Sequence, residues 1–96
     1  MYKLFIRHRA EKALDNMDED DYHRTKEAIL DLRDHPRPRG CKKLIDNIYR
    51  IRTGDWRVIY MVDDKKMLIE IGKIARRSEE TYKEIKRLFP FGLISS

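Results

Sequence analysis

After residue 47 the apolar residues stop recurring every three or four positions and begin to alternate, which limits the chain to a helical part followed by a sheet. The segment IYRIRTGDWRVIY, residues 48–60, carries that alternation. Ile48 to Thr53 and Trp56 to Val62 flank Gly54-Asp55, a pair suited to a tight hairpin because glycine adopts positive φ freely and aspartate tolerates it. A second turn at Asp63-Asp64-Lys65 leads into MLIEIGKIA, so this part predicts a three-strand meander.

The preceding residues follow a different pattern. YKLFIR, residues 2–7, is rich in strand formers and predicts a first strand. In HRAEKALDNM, Ala10, Ala13, Leu14 and Met17 fall at helical spacing and predict a short amphipathic helix. The acidic run Asp18 to Asp21 suits the positive end of a helix dipole, and Tyr22, Ala28, Ile29 and Leu32 extend a second helix to about His35. HPRPRG, residues 35–40, ends it, since proline removes a donor and pushes the residue before it out of helical geometry; a loop follows. Beyond the meander, Ser78 suits the cap of a last helix, with Tyr82, Ile85, Leu88 and Phe89 along one side until Pro90. The expected fold is α+β, a small antiparallel sheet in the order strand, helix, helix, three-strand meander, helix, with the helices on one face. It forms one domain over residues 1–96, with residues 90–96 a loosely held tail.

Within a strand, residues two apart share a face, so Arg50 and Arg52 project together and Tyr49 and Ile51 project oppositely. If Ile51 packs on the helices, the two arginines line the open face, and Arg57, just past the hairpin turn, joins them. Charge composition bears on what that face is for. Residues 1–40 hold nine Lys/Arg and nine Asp/Glu, whereas residues 41–96 hold thirteen and eight, so the net charge of +5 sits in the part that carries the hairpin. Such asymmetry suits a polyanionic partner such as nucleic acid, or an acidic protein; a merely solvated face is the plainer reading of the same arginines. Trp56 reads as hairpin packing or as a base-stacking platform, and Tyr82 as a core aromatic or a site residue.

Chemistry is constrained by what the basic part lacks. His8, His23 and His35 all precede it, no metal-ligand spacing surrounds Cys41, and no glycine-rich phosphate loop or nucleophile elbow occurs. Neither a metal nor another cofactor is expected. A single cysteine forms no internal disulfide, and no apolar run approaches the length of a membrane span, so the chain reads as cytoplasmic and without a membrane partner. Arginine, lysine and tyrosine side chains remain, which position a phosphodiester and stabilise charge on its oxygens.

Three segments, CKKL at 41–44, IYRIRTGDWRVIY at 48–60 and IEIGKIARRSEETYK at 69–83, occur in an order that resembles the RelE/ParE superfamily of bacterial and archaeal toxins, as does the order of elements. The resemblance implies a small toxin neutralised by an antitoxin, and a groove of like charges suits a small acidic one. In the RelE branch it further implies a metal-independent endoribonuclease that enters the ribosomal A site and cuts messenger RNA, the message's own 2′-hydroxyl attacking the adjacent phosphate. By position it implies catalytic roles for Arg52, Arg57, Arg76 and Tyr82, and RNA contacts by Lys43, Arg50, Lys73 and Arg77. The strand positions of Arg50 and Arg52 are commonly lysine in that branch, and arginine is too basic to act readily as a general base. ParE-like members share the fold but poison DNA gyrase, which is the alternative, together with a non-catalytic RNA-binding module.

Overall fold

The computed structural model describes residues 1–76, so the expected last helix, the tail, Arg77 and Tyr82 lie outside the described residues. Its elements are β1 (Lys3–Ile6), α1 (His8–Asp15), α2 (Glu19–Asp31), β2 (Lys42–Ile45), β3 (Ile48–Thr53), β4 (Trp56–Asp63) and β5 (Leu68–Arg76). The strands form a five-stranded sheet in the order β1-β5-β4-β3-β2. Among the described residues no helix is long and apolar enough to cross a membrane.

Two features differ from the sequence-based expectation. Strand β2 arises where a loop was expected: Asp46 takes φ 48°, closing a tight turn that pairs Ile45 with Ile48. Asp46-Asn47 is itself a turn signal, because short polar side chains tolerate left-handed backbone, but four residues broken by a register shift show no usable alternation. The sheet is also not wholly antiparallel. Strand β1 lies parallel to β5, pairing Leu4 with Ile69 and Ile6 with Ile71, because the two helices between β1 and β2 carry the chain from one sheet edge to the other.

Local chemistry sets the helix ends. The Asp18 carboxylate accepts from the Asp21 amide at 2.8 Å and caps α2, with Glu19, Asp20 and Asp21 in its positive first turn. The helix stops at Asp31, short of His35, through a tightened turn in which Leu32, Arg33 and Asp34 donate to carbonyls three residues back. Ala10 and Leu14 of α1, Ile29 of α2 and Leu32 at its C-terminal cap pack with Ile51, Val58, Tyr60, Val62, Ile69, Ile71 and Ile74 in the main core. The other face carries a smaller apolar cluster of Ile48, Ile59 and Met61, flanked by Leu44 and Ile45.

One polar contact lies inside the main layer: Thr25 of α2 and Thr53 of β3, both buried, share a hydrogen bond of 2.8 Å between hydroxyls. Either threonine replaced by valine strands the other hydroxyl, an expected cost of about 1–3 kcal/mol, whereas the double valine variant costs much less than the sum of the two. Denaturant melts of the four proteins measure the coupling.

At the far end of the sheet, Arg37 from the proline-rich loop reaches the β4–β5 turn. Its Nη2 donates to Asp64 Oδ2 at 2.7 Å and its Nε to the Tyr49 hydroxyl at 2.9 Å, while Tyr2 donates to Asp64 Oδ1 at 2.6 Å. Beneath them Tyr60, raised in pKa chiefly by burial, donates to the Pro36 carbonyl at 2.7 Å. The bonds from Arg37 and Tyr2 hold the Asp64 carboxyl below its usual 3.8. A depressed carboxylate adds stability above its unfolded pKa and loses it as pH falls through the folded value. Asp64→Asn is therefore expected to be less stable than wild type at neutral pH and to converge with it only as pH falls through the depressed folded value, below 3.8. The gap is small because the Asp64 side chain is 56% exposed. Melts of both proteins across pH measure it.

Candidate nucleic-acid interface

The strand registers assemble the cationic side chains on the face opposite α1 and α2. Across one rung lie Lys42, Arg50, Ile59 and Lys73; across the next, Arg52, Arg57 and Ala75. No carboxylate occupies either rung, and Glu70, further along β5 on this face, is engaged by Arg7 at 2.5 Å. His8 lies on α1, His23 on α2 and His35 in the loop that follows α2, all of them exposed and away from this face.

The hairpin that sets this register is built by one residue. Gly54 has φ +63°, whereas Asp55 is not among the residues of positive φ, so the turn depends on glycine in its first central position. Thr53 then pairs with Trp56 and Arg52 falls directly opposite Arg57. Opposed like charges on adjacent strands destabilise a sheet by roughly 0.2–1 kcal/mol. Together with Arg50 and Lys73, this pair concentrates positive charge on one face of the sheet.

Burial divides the arginines. Arg52 is exposed and Arg57 half-buried, but Arg50 is only 8% exposed, beside the buried Ile59 and Met61. The expectation that Arg50 and Arg52 line an open face together is thus corrected: they share the face, and one of them is enclosed in it. Both Arg50 and Arg57 make interactions within the chain.

Two expected site residues lie elsewhere. Lys43 pairs with Tyr49, whose ring packs on the main core, so its neighbour Lys42 is the β2 lysine that joins the cationic rung. Lys42 is not evident from the sequence because β2 is too short to show alternation; the Asp46-Asn47 turn is the available signal. Arg76 pairs with Trp56, on the helix side, and its guanidinium carbon lies 4.7 Å from the Trp56 ring centroid. The cause is a bulge. Ile59 pairs with Lys73 and Tyr60 with Ile71, leaving Gly72 as an extra residue that shifts the phase of β5. Lys73 thereby reaches the cationic face, Ile74 the core and Arg76 the tryptophan, whereas unbroken alternation from Ile69 and Ile71 would turn Arg76 the other way.

The order of strands, the helix pair and this basic face can be compared with known proteins. Residues 4–81 match the family described as the ParE toxin of type II toxin–antitoxin systems. The chain belongs to the RelE/ParE toxin family. It is a toxin of a type II toxin–antitoxin system. Among solved structures, the toxin resembles the archaeal RelE–RelB complex from Pyrococcus horikoshii, with 31% identity, a TM-score of 0.72, and coverage of 82% of this chain and 98% of that one. Isolated E. coli RelE superimposes with a TM-score of 0.72 at 22% identity, covering 92% of this chain and 99% of that one. A toxin–antitoxin complex from Mycobacterium tuberculosis does so with a TM-score of 0.68 at 22% identity, covering 79% and 98%. The latter two likenesses are of fold alone. A comparison with curated proteins finds no match.

Proposed function

We propose that this toxin is an endoribonuclease that cuts messenger RNA on the ribosome. The observation that carries the reading is the pair of adjacent rungs on which Arg50, Arg52, Arg57 and Lys73 share one face without a carboxylate. In the reaction, a 2′-hydroxyl oxygen bonds to the adjacent phosphorus as the bond to the 5′-oxygen breaks. Negative charge grows on the non-bridging oxygens and then on the leaving oxygen. Arg52 and Arg57 stabilise the former, Lys73 holds the flanking backbone while the enclosed Arg50 adds positive charge from within the sheet face, and Arg76 serves the leaving group. Arginine is a poor general base at neutral pH, so Tyr82 or a ribosomal group takes the 2′-hydroxyl proton. The ribosome aligns the message, which leaves the toxin mainly electrostatic work and needs no metal.

The partner reading follows from the same face. A small acidic antitoxin neutralises the opposed cations, in keeping with the antitoxin-bound state of the Pyrococcus relative. Purified toxin is expected to cut a short message on programmed ribosomes, at a new end mapped by primer extension, and Arg57→Ala to cut it about a hundredfold more slowly. The match to the ParE family favours a second reading, binding and poisoning of DNA gyrase. Loss of supercoiling activity with intact messages, equal for wild type and Arg57→Ala, would establish that reading in place of cleavage.

A further inference from the structure

Trp56 has more partners than hairpin packing requires. The residue is 8% exposed, its indole Nε1–H donates to Asp21 Oδ2 at 3.1 Å, and the other oxygen of Asp21 receives Arg24 Nη1 at 3.4 Å. Arg24 in turn lies over the hairpin turn, where a β-carbon on Gly54 would come within 2.6 Å of its Nη1. The ring is therefore fixed from the N-terminal turn of α2 and from the hairpin. On that fixed ring rests the exposed Arg76 guanidinium, within the range of a cation–π contact.

An exposed arginine at a strand end ordinarily samples many rotamers, and ordering it on substrate binding costs free energy. Here the ordering precedes binding. Arg76 also sits one residue beyond Ala75, the neighbour of Arg57 in the Arg52–Arg57–Ala75 rung, but on the opposite side of the sheet. A strand of RNA that touches Arg52, Arg57 and Arg76 together must pass around the hairpin end of the sheet.

We infer that Trp56 is a positioning residue, which Asp21 holds in place and which presents Arg76 to the message at the hairpin end. This rests on the message-cleavage reading above. Trp56 touches no reacting atom; it acts through Arg76. It differs from a packing tryptophan in one measurable respect, that its effect on rate disappears when Arg76 is absent.

The test is a double-mutant cycle on programmed ribosomes with wild type, Trp56→Leu, Arg76→Ala and the double variant, with Trp56→Phe as the conservative replacement. Trp56→Leu is expected to lower kcat about tenfold with KM unchanged, to add nothing in the Arg76→Ala background, and to be largely rescued in Trp56→Phe, which keeps an aromatic face. Independently of cleavage, proton NMR should find the Arg76 side-chain resonances shifted upfield by the ring in wild type and returned to ordinary values in Trp56→Leu. Equal losses from Trp56→Leu with and without Arg76, or unshifted Arg76 resonances in wild type, overturn the role of Trp56 while leaving cleavage intact. A wild-type protein that leaves the message uncut overturns the cleavage reading itself, and with it the role of Trp56.

Discussion

Arg52→Glu is expected to abolish message cleavage while leaving the fold as stable as wild type, or more so. The two effects have separate origins. Arg52 is exposed and pairs directly with Arg57, so reversing its charge replaces a like-charge cross-strand pair with an opposite-charge one. That change favours the folded state by up to about 1 kcal/mol, or a few degrees in Tm for a domain of this size. In the cleavage reaction the same change places a carboxylate where negative charge accumulates on phosphate oxygens. Removing a single stabilising donor typically costs a hundredfold to a thousandfold, and a repelling group costs at least as much, so a rate loss of about a thousandfold or more is expected. Melting curves and primer extension on programmed ribosomes measure the two quantities on one preparation. If Arg52 belongs to a merely solvated face, stability rises and cleavage persists, and the proposed role of this face is wrong.

Ile71→Ala should have the converse effect, a large loss of stability with the cationic face left in place. Ile71 is fully buried on β5, the strand between β1 and β4, and its side chain belongs to the core under α1 and α2. Truncation there removes apolar contacts and leaves a cavity between sheet and helices, at an expected cost of about 2–5 kcal/mol. Against a total stability on the order of 5–15 kcal/mol, this lowers Tm by roughly 10–30 °C, while Ile71→Val costs about 0.5–1.5 kcal/mol. Denaturant unfolding at fixed temperature gives the difference. A cost below about 1 kcal/mol for the alanine variant would show that this face is not where the sheet derives its main stability.

The two substitutions act on opposite faces of one sheet, and the division between those faces is legible in part from the chain alone. Period-two alternation in IYRIRT and WRVIYMV already separates Tyr49 and Ile51 from Arg50 and Arg52, because consecutive side chains on a strand leave opposite sides. The Gly54-Asp55 turn then fixes which residues of β3 and β4 face each other, so the Arg52–Arg57 opposition follows from local geometry. The helix starts are legible for the same reason: Asp18 caps α2 through a bond to a backbone amide three residues away. Resemblance to the toxin superfamily was legible as well, since its segments are contiguous runs.

What the chain alone left undecided is non-local. Strand β2 is held by pairing with β3 and carries too few residues to announce itself, and with it Lys42 was hidden behind Lys43. The parallel β1–β5 pairing depends on where two helices return the chain, which no local pattern encodes. The enclosure of Arg50 beside Ile59 and Met61 depends on a second apolar cluster drawn from three strands. The largest reassignment is that of Arg76. The spacing of Ile69, Ile71 and Ile74 is compatible with a bulge, but its place at Gly72 is set by the pairings of Ile59 with Lys73 and Tyr60 with Ile71. Sequence thus determined which side chains share a strand face and which residues turn the hairpin, because those follow from bonds a few residues apart. Tertiary structure decided which strands neighbour one another, which arginine is enclosed and that Arg76 rests on Trp56, because register and bulges are fixed only when distant segments compete to bury the same apolar side chains.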